Sequence, residues 1–339
     1  FTNFIGGNMF NIDLAIKFGS NEIIIYRKGI GIITKEPAYL AVIEDGNKFK
    51  IKATGKRAEK LFLSKSSSVT VYQPIKNSEI INEKMAVVLM SEILKTSIRD
   101  KFLLTHLSAL VAVPCAMNER QLALLKKVLH ESGINKITFV QNAVCVRDNM
   151  DIDSHAHVMV VDIGKYITDI SVLNEYNFDF GRMYYIGGAD MDKSITTFIQ
   201  DNHNLEVSDL SSEAIKNEIA SLYDRDMYKT EYIGIDENNK FVRNEISANE
   251  VRVAIVNVYD TIFKLIEEVL NQLPKEISAD VYNNGVVFVG GGSSIAGLYE
   301  YAKKKLDLPI IVLDEPSDAV IKGAGKLLSQ EKEFVKINF

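Results

Sequence analysis

Apolar and β-branched residues run through positions 12–16 and again through 23–26, with the small polar segment Gly19-Ser20-Asn21 between them. That pattern predicts a β-hairpin at the start of the chain. A third strand is expected around 31–34. Glu36-Pro37 then breaks the pattern, and further short strands are expected between Ala38 and Ala53, so residues 36–71 read as a small β-rich insert. Over 82–95 the apolar positions recur at helical spacing, and 110–113 is an apolar strand stopped by Pro114. A helix over 119–130, a strand over 137–140 and a helix over 144–149 complete the first half.

The second half opens as the first does. Residues 158–163 form a buried apolar strand that turns at Gly164 into another hairpin ending near Val172. Helices are expected over 191–201, 212–223 and 248–273. A strand over 286–289 runs into Gly290-Gly291-Gly292, and a last strand over 310–313 precedes a final helix after Asp318. Two hairpins, each opening one half of an alternating β and α order, predict an α/β fold built by internal duplication.

A chain of 339 residues is too long for one compact core and sufficient for two. The first lobe is expected to take residues 11–145 plus 315–339. The second takes 146–314, with a helical insert at about 190–257. Hydrophobic residues at 47% and charged residues at 25% are typical of a chain that folds throughout. The net charge of −6 argues against a sequence-independent grip on nucleic acid, which needs clustered cations. Cys115 and Cys145 lie in apolar strings and read as reduced, packed thiols of a cytoplasmic protein rather than a disulfide or a nucleophile.

No apolar run reaches the ~18 residues needed to cross a bilayer, and the first residues lack the features of a secretory signal. Phe1, Phe4, Ile5, Met9 and Phe10 precede the first strand, where either an interfacial anchor or a packed or disordered tail is open. His155 and His157 have no third ligand nearby and read as exposed loop histidines. His106, His130 and His203 stand alone in sequence.

Three glycine-marked turns carry the candidate chemistry: Gly19-Ser20, Gly164 and Gly290-Gly291-Gly292, each at a strand end or hairpin bend. Such turns expose backbone N–H groups with no side chain in the way, which is how α/β proteins approach phosphates. One alone marks a bend; three in this order are a stronger signal.

These residues sit in longer stretches that resemble the MreB bacterial actins over essentially the whole chain. The run 26–42 resembles that family's passage from the first hairpin through a Glu-Pro turn, and Val111-Ala112-Val113-Pro114-Cys115 its Val-Cys-Val-Pro-Cys strand end. Val160-Val161-Asp162-Ile163-Gly164 is similar to the start of its second phosphate loop, Ile186-Gly187-Gly188 to the following turn and Val289-Gly290-Gly291-Gly292 to its adenosine motif. The segment from Glu213 through Lys216 and Glu218 to Ile219 resembles its helix beside adenine and ribose, and Gly323-Ala324-Gly325-Lys326 its last helix. The resemblance implies an actin-like, duplicated two-lobed fold, a cleft for ATP or ADP with Mg²⁺, filaments and a position at the inner membrane surface.

Departures from the pattern fall on the phosphate side. Where the family has Asp-Leu-Gly-Thr-Ala-Asn-Thr, this chain has Lys17-Phe18-Gly19-Ser20-Asn21-Glu22-Ile23, an ammonium in place of a metal-side carboxylate. Where the family has Asp-Ile-Gly-Gly-Gly-Thr-Thr, it has Asp162-Ile163-Gly164-Lys165-Tyr166-Ile167-Thr168, which crowds the backbone. The family's Glu-Glu-Pro is Gln141-Asn142-Ala143 here, so an amide replaces the glutamate that orients the attacking water. Asp162 is the remaining candidate for the metal, and Mg²⁺ binding is in doubt. With Asn142, Gln141, Thr168 and Asp162 as a degenerate catalytic set, ATP hydrolysis is expected to be weak or absent.

The nucleoside side, with Lys216, Glu218 and Gly290 to Gly292, keeps the family's residue types, and Gly187 and Gly188 are further cofactor-binding candidates. Lys17 is expected to pair with Asp162 in place of Mg²⁺; alternatively, Lys17 and Lys165 hold a polyphosphate directly. The apolar and basic stretch from Arg99 to Leu104, with Phe102, Leu103 and Leu104, is open to membrane insertion or to burial. The leading reading is a filament subunit that assembles with itself or with related subunits. The competing readings are an active ATP-hydrolysing filament protein, an accessory subunit that co-assembles with an active relative, and a sugar kinase or chaperone ATPase of the same superfamily; the last two enzymes need the carboxylate that Lys17 replaces.

Overall fold

A computed structural model describes residues 10–46, 48–64, 69–99, 105–147, 150, 156–175, 177–225, 227–329 and 337. The chain divides into two compact units, residues 1–150 with 320–339 and residues 151–319.

The first unit opens with β1 (Phe10–Phe18), β2 (Glu22–Arg27) and β3 (Gly31–Pro37), followed by β4 (Leu40–Asp45), β5 (Lys48–Thr54), α1 (Gly55–Leu63) and β6 (Thr70–Tyr72). A short hairpin, β7 (Ile75–Lys76) and β8 (Glu79–Ile80), leads to α2 (Glu83–Ser97), β9 (Thr105–Val113), α3 (Glu119–Glu131), β10 (Lys136–Gln141) and α4 (Asn142–Val146). Its main sheet has the order β3-β2-β1-β9-β10, antiparallel through the hairpins and parallel from β1 to β10. Leu14, Ile16, Ile23 and Ile25 from this sheet bury against Leu89 and Met90 of α2 in one core.

The second unit contains β11 (His157–Ile163), β12 (Thr168–Asn174), β13 (Asn177–Tyr184), α5 (Gly188–His203), α6 (Asp209–Ile219), β14 (Lys229–Ile235) and β15 (Phe241–Ser247). It continues through α7 (Ala248–Gln272), α8 (Lys275–Asn284), β16 (Val286–Val289), a 3-10 turn over Gly291–Ser294, α9 (Leu298–Lys305) and β17 (Ile310–Val312); α10 (Ala319–Ser329) returns the chain to the first unit. Its sheet order, β13-β12-β11-β16-β17, repeats that of the first unit strand for strand, with the same senses. Met159, Val161 and Ile163 pack with Ile255, Tyr259 and Phe288 in a separate core. The duplication expected from the two hairpins is therefore present in the connectivity itself.

Several expected elements differ. The β-rich insert also holds α1, and β9 begins at Thr105 rather than near Leu110. The helix expected to reach Tyr223 ends at Ile219, because Ala220 turns extended and Ser221 pairs with Ala296. The insert expected to be helical contains the β14–β15 hairpin. Its pattern has period two: Thr230, Tyr232 and Gly234 point inward, and Lys229, Glu231 and Ile233 outward.

His157 is no exposed loop residue. It begins β11, and its ring nitrogens face Asp280 at 2.7 Å and Asp179 at 3.5 Å. His203, set aside as solitary, lies between the Tyr232 hydroxyl at 2.5 Å and Glu250 Oε1 at 3.0 Å. Phe1, Phe4, Ile5, Met9, Phe102, Leu103, Leu104 and His155 lie outside the described residues, as does the side chain of Phe10.

Candidate functional site

The two hairpin bends are one device used twice. Gly19 N–H donates to Glu22 O at 3.1 Å in the first unit, and Gly164 N–H donates to Ile167 O at 2.8 Å in the second. A Cβ at either glycine would lie 3.0 Å from that same carbonyl. Glycine is favoured at both because the turn closes its backbone on itself.

In the first unit, Lys17 sits one residue from the end of β1, opposite Ile24 of β2 and Ala112 of β9. Ser20 is buried, and the β7–β8 turn and the chain before it hold it: its Oγ accepts from Ser78 N–H at 2.7 Å, and its carbonyl from Gln73 Nε2 at 3.4 Å. Ser78 and its neighbour Asn77 both have positive φ, the signature of a tight two-residue hairpin. The carbonyl of Asn21 accepts from Ala38 N–H at 3.1 Å, and Glu22 faces Lys35 at 3.9 Å. Gln141 closes β10, and Asn142, buried, starts α4. Cys145, on the same short helix, is fully buried; burial pushes its thiol well above the ordinary range and makes it chemically inert.

The second unit brings more of the site together. Asp162, near the end of β11, is buried and lies under Gly290, where a Cβ would come 2.3 Å from Asp162 Oδ1 and 2.5 Å from Ile163 O. With φ of +86°, Gly290 occupies backbone space that other residues rarely adopt. Gly292 is pressed against Ile163 just as closely, whereas Gly291 between them faces open space. Two hydroxyls fix this turn from behind: Tyr259 Oη donates to Gly292 O at 2.6 Å, and Ser293 Oγ to Val289 O at 2.6 Å.

Around Gly187 and Gly188 the bend after β13 locks onto the second loop. Gly188 N–H donates to Gly164 O at 3.0 Å and Ala189 N–H to Lys165 O at 2.6 Å, while Gly187 N–H is capped by Asp190 Oδ2 at 2.8 Å. The leading donors of α5 thus serve the chain's own loop. Thr168 is fully buried, and its hydroxyl donates to Ile186 O at 2.8 Å.

Lys165 and Lys216 each have a carboxylate partner. Lys165 Nζ lies 3.0 and 2.9 Å from the two oxygens of Glu213. Lys216 Nζ lies 2.6 Å from Asp192 Oδ1 and donates to Gly188 O at 3.0 Å. Burial of Asp192 pushes its carboxyl up to about 6 against the pull of Lys216. Glu218 accepts from the Thr230 hydroxyl at 2.8 Å and braces α6 on β14. Sequence reading missed Tyr259, Asp192, Glu213's hold on Lys165 and the Ser78 turn; of these only Glu213 carried a signal, through its place in the α6 resemblance. Among the described residues no group of three or more His, Cys, Asp or Glu side chains is arranged to hold a metal.

The family model described as MreB/Mbl protein matches residues 11–336. The chain belongs to the MreB/Mbl family. It is 24% identical to the cell shape-determining protein MreB of Escherichia coli K12 over 326 residues, 94% of each chain. It is 25% identical to the cell shape-determining protein Mbl of Bacillus subtilis over 332 residues, 97% of this chain and 99% of that one.

Among solved structures, the ADP-bound MreB5 of Spiroplasma citri superposes with a TM-score of 0.86 at 22% identity, covering 94% of this chain and 96% of that chain. The MamK double helical filament superposes with a TM-score of 0.78 at 20% identity, covering 95% of this chain and 100% of that chain. The fold is actin-like, and the chain is an MreB-type bacterial actin, a cytoskeletal protein by class. No helix among the described residues is long and apolar enough to cross a membrane.

Proposed function

We propose that this chain is a filament-forming subunit, acting in cell shape or motility, that binds ADP or ATP but hydrolyses ATP weakly or not at all. The observation that carries the proposal is the contrast within the second unit. The Gly290–Gly292 turn keeps its close packing on Asp162 and Ile163 and its brace from Tyr259. The loop beside it carries Lys165, Tyr166 and Ile167, where the family resemblance calls for two glycines and a threonine.

A nucleoside needs the first feature; phosphoryl transfer depends on close backbone donors and on charge neutralisation at the transferred group. The S. citri relative was solved with ADP and with AMPPNP, and the MamK relative as a double helical filament, which supports carrying nucleotide binding and self-assembly over to this chain.

In this reading Gly290 to Gly292 cradle the nucleoside in the second unit, with Lys216 and Glu218 fixing α6 beside it, and Gly164, Lys165, Gly187 and Gly188 form that unit's phosphate side. In the first unit Gly19, Ser20 and Asn21 form the corresponding phosphate turn. Asp162 is the group nearest to a metal role, and a Mg²⁺ ion bound there would neutralise phosphate charge. Lys17 supplies a positive charge in its place on the first loop. Asn142 and Gln141 can orient a water by hydrogen bonding without taking its proton. The N-terminal segment and the stretch with Phe102, Leu103 and Leu104 would provide peripheral contact with the cytoplasmic face of a membrane.

Sedimentation of the purified chain with ADP, ATP and no nucleotide tests the assembly claim: a nucleotide-dependent pellet is expected. A chain that stays in the supernatant alone and pellets only with an active relative would favour the second reading, an accessory subunit, which the altered loops also suit. Failure to pellet under either condition would refute both.

A further inference from the structure

The residue that sets this site apart from its family pattern is Lys165, and its ammonium is already engaged. Both oxygens of Glu213 contact Nζ, at 3.0 and 2.9 Å, from the first half of α6. The pair is partly enclosed, with side-chain exposures of 17% and 23%, so the attraction is stronger than at an open surface yet solutes can still reach it. The Lys165 carbonyl is fixed by Ala189 N–H, so only the side chain is able to change partner.

The neighbouring cation offers no alternative. Lys216 is buried between Asp192 and the Gly188 carbonyl, so the two lysines and two carboxylates form a patch with no net charge. These four groups alone offer a polyphosphate no net attraction. Its attraction appears only once Lys165 leaves Glu213.

We infer that Glu213 masks Lys165, and that the phosphate chain of a bound nucleotide displaces the carboxylate, so that Lys165 exchanges one anionic partner for another. No covalent bond is made or broken in the exchange. Lys165 is then the phosphate-recognising residue of the second loop and Glu213 the residue that sets its affinity. This rests on the nucleotide-binding proposal above.

Calorimetric titration of the wild-type chain, Glu213→Gln and Lys165→Met with ADP, tripolyphosphate and adenosine, in magnesium-free buffer, tests it. Glu213→Gln is expected to bind tripolyphosphate roughly five- to ten-fold more tightly than wild type, the equivalent of one ion pair's competition. Lys165→Met should weaken ADP and tripolyphosphate by a similar factor and leave adenosine affinity unchanged. Wild-type binding of ADP with no gain of tripolyphosphate affinity in Glu213→Gln, or full ADP affinity in Lys165→Met, would each overturn the exchange while leaving nucleotide binding intact. If none of the three proteins binds ADP, the proposed nucleotide function falls and the exchange falls with it.

Discussion

Lys216 Nζ and Asp192 Oδ1 lie 2.6 Å apart, both nearly out of reach of solvent, and they tie α6 to α5 directly behind the second glycine loop. The pair is held under tension. Burial drives the Asp192 carboxyl up to about 6 even with the ammonium beside it, so desolvation outweighs attraction. A carboxylate whose folded pKa exceeds its unfolded one binds protons more tightly in the native state. Stability is then highest below the unfolded value, falls as pH rises through about 4 to 6, and is level above.

Over that interval Asp192 is expected to cost about 3 kcal/mol, from roughly two pH units at 1.36 kcal/mol each. Urea unfolding of wild type and Asp192→Asn across pH 4 to 7 measures it. The wild type should lose stability relative to the variant as pH rises, and parallel curves would refute the assignment.

Alanine should be costly at Gly290 and nearly neutral at Gly291. At Gly290 the methyl group meets Asp162 and the Ile163 carbonyl, and the backbone has φ of +86°, so a loss of roughly 3 kcal/mol or more is expected. Gly291 has nothing within 4 Å, so Gly291→Ala should stay within about 0.5 kcal/mol of wild type in stability. Thermal unfolding of the two variants compares them; equal losses would count against the packing described.

Tyr259→Phe removes one oxygen from a side chain that is otherwise pure core. Its hydroxyl donates to Gly292 O at 2.6 Å inside the protein, and without it that buried carbonyl loses a donor at a cost of about 1–3 kcal/mol. The same variant should bind ADP less tightly, because the turn that cradles the nucleoside is freed. A stability loss with unchanged affinity would place the hydroxyl's role in folding alone.

If the altered first loop and the amide at position 142 are what suppress hydrolysis, restoring carboxylates should raise it. Lys17→Asp combined with Asn142→Glu is expected to release phosphate from Mg-ATP at least about ten-fold faster than the parent, since each group supplies an electrostatic or general-base contribution of that order or greater. Steady-state phosphate release measures the change; a double variant no faster than wild type would move the cause elsewhere, to Lys165 and Tyr166 first.

Much of the architecture was legible because it is written in local periodicity. The hairpins at Gly19 and Gly164, the run into Gly290 and the long α7 all follow from spacing that a window of a dozen residues contains. The β14–β15 hairpin escaped because its outward face mixes ion pairs with exposed Ile233 and Phe241, which blurs the alternation. The partners of the site were least legible: Asp192 with Lys216, Lys165 with Glu213, Tyr259 with Gly292 and Ser20 with Ser78 are separated by 24 to 58 positions, and no local pattern links a charge or hydroxyl to a mate at that range. Lys165 was recognised as foreign to its loop, but its carboxylate partner lies on a helix whose resemblance suggested a different task.

The most direct test is to follow phosphate release from ATP with Mg²⁺ by the wild-type chain at a concentration where ADP binding has been measured in parallel. Saturable ADP binding with phosphate release at or near the buffer rate is the expected result. Rapid, magnesium-dependent turnover would contradict it.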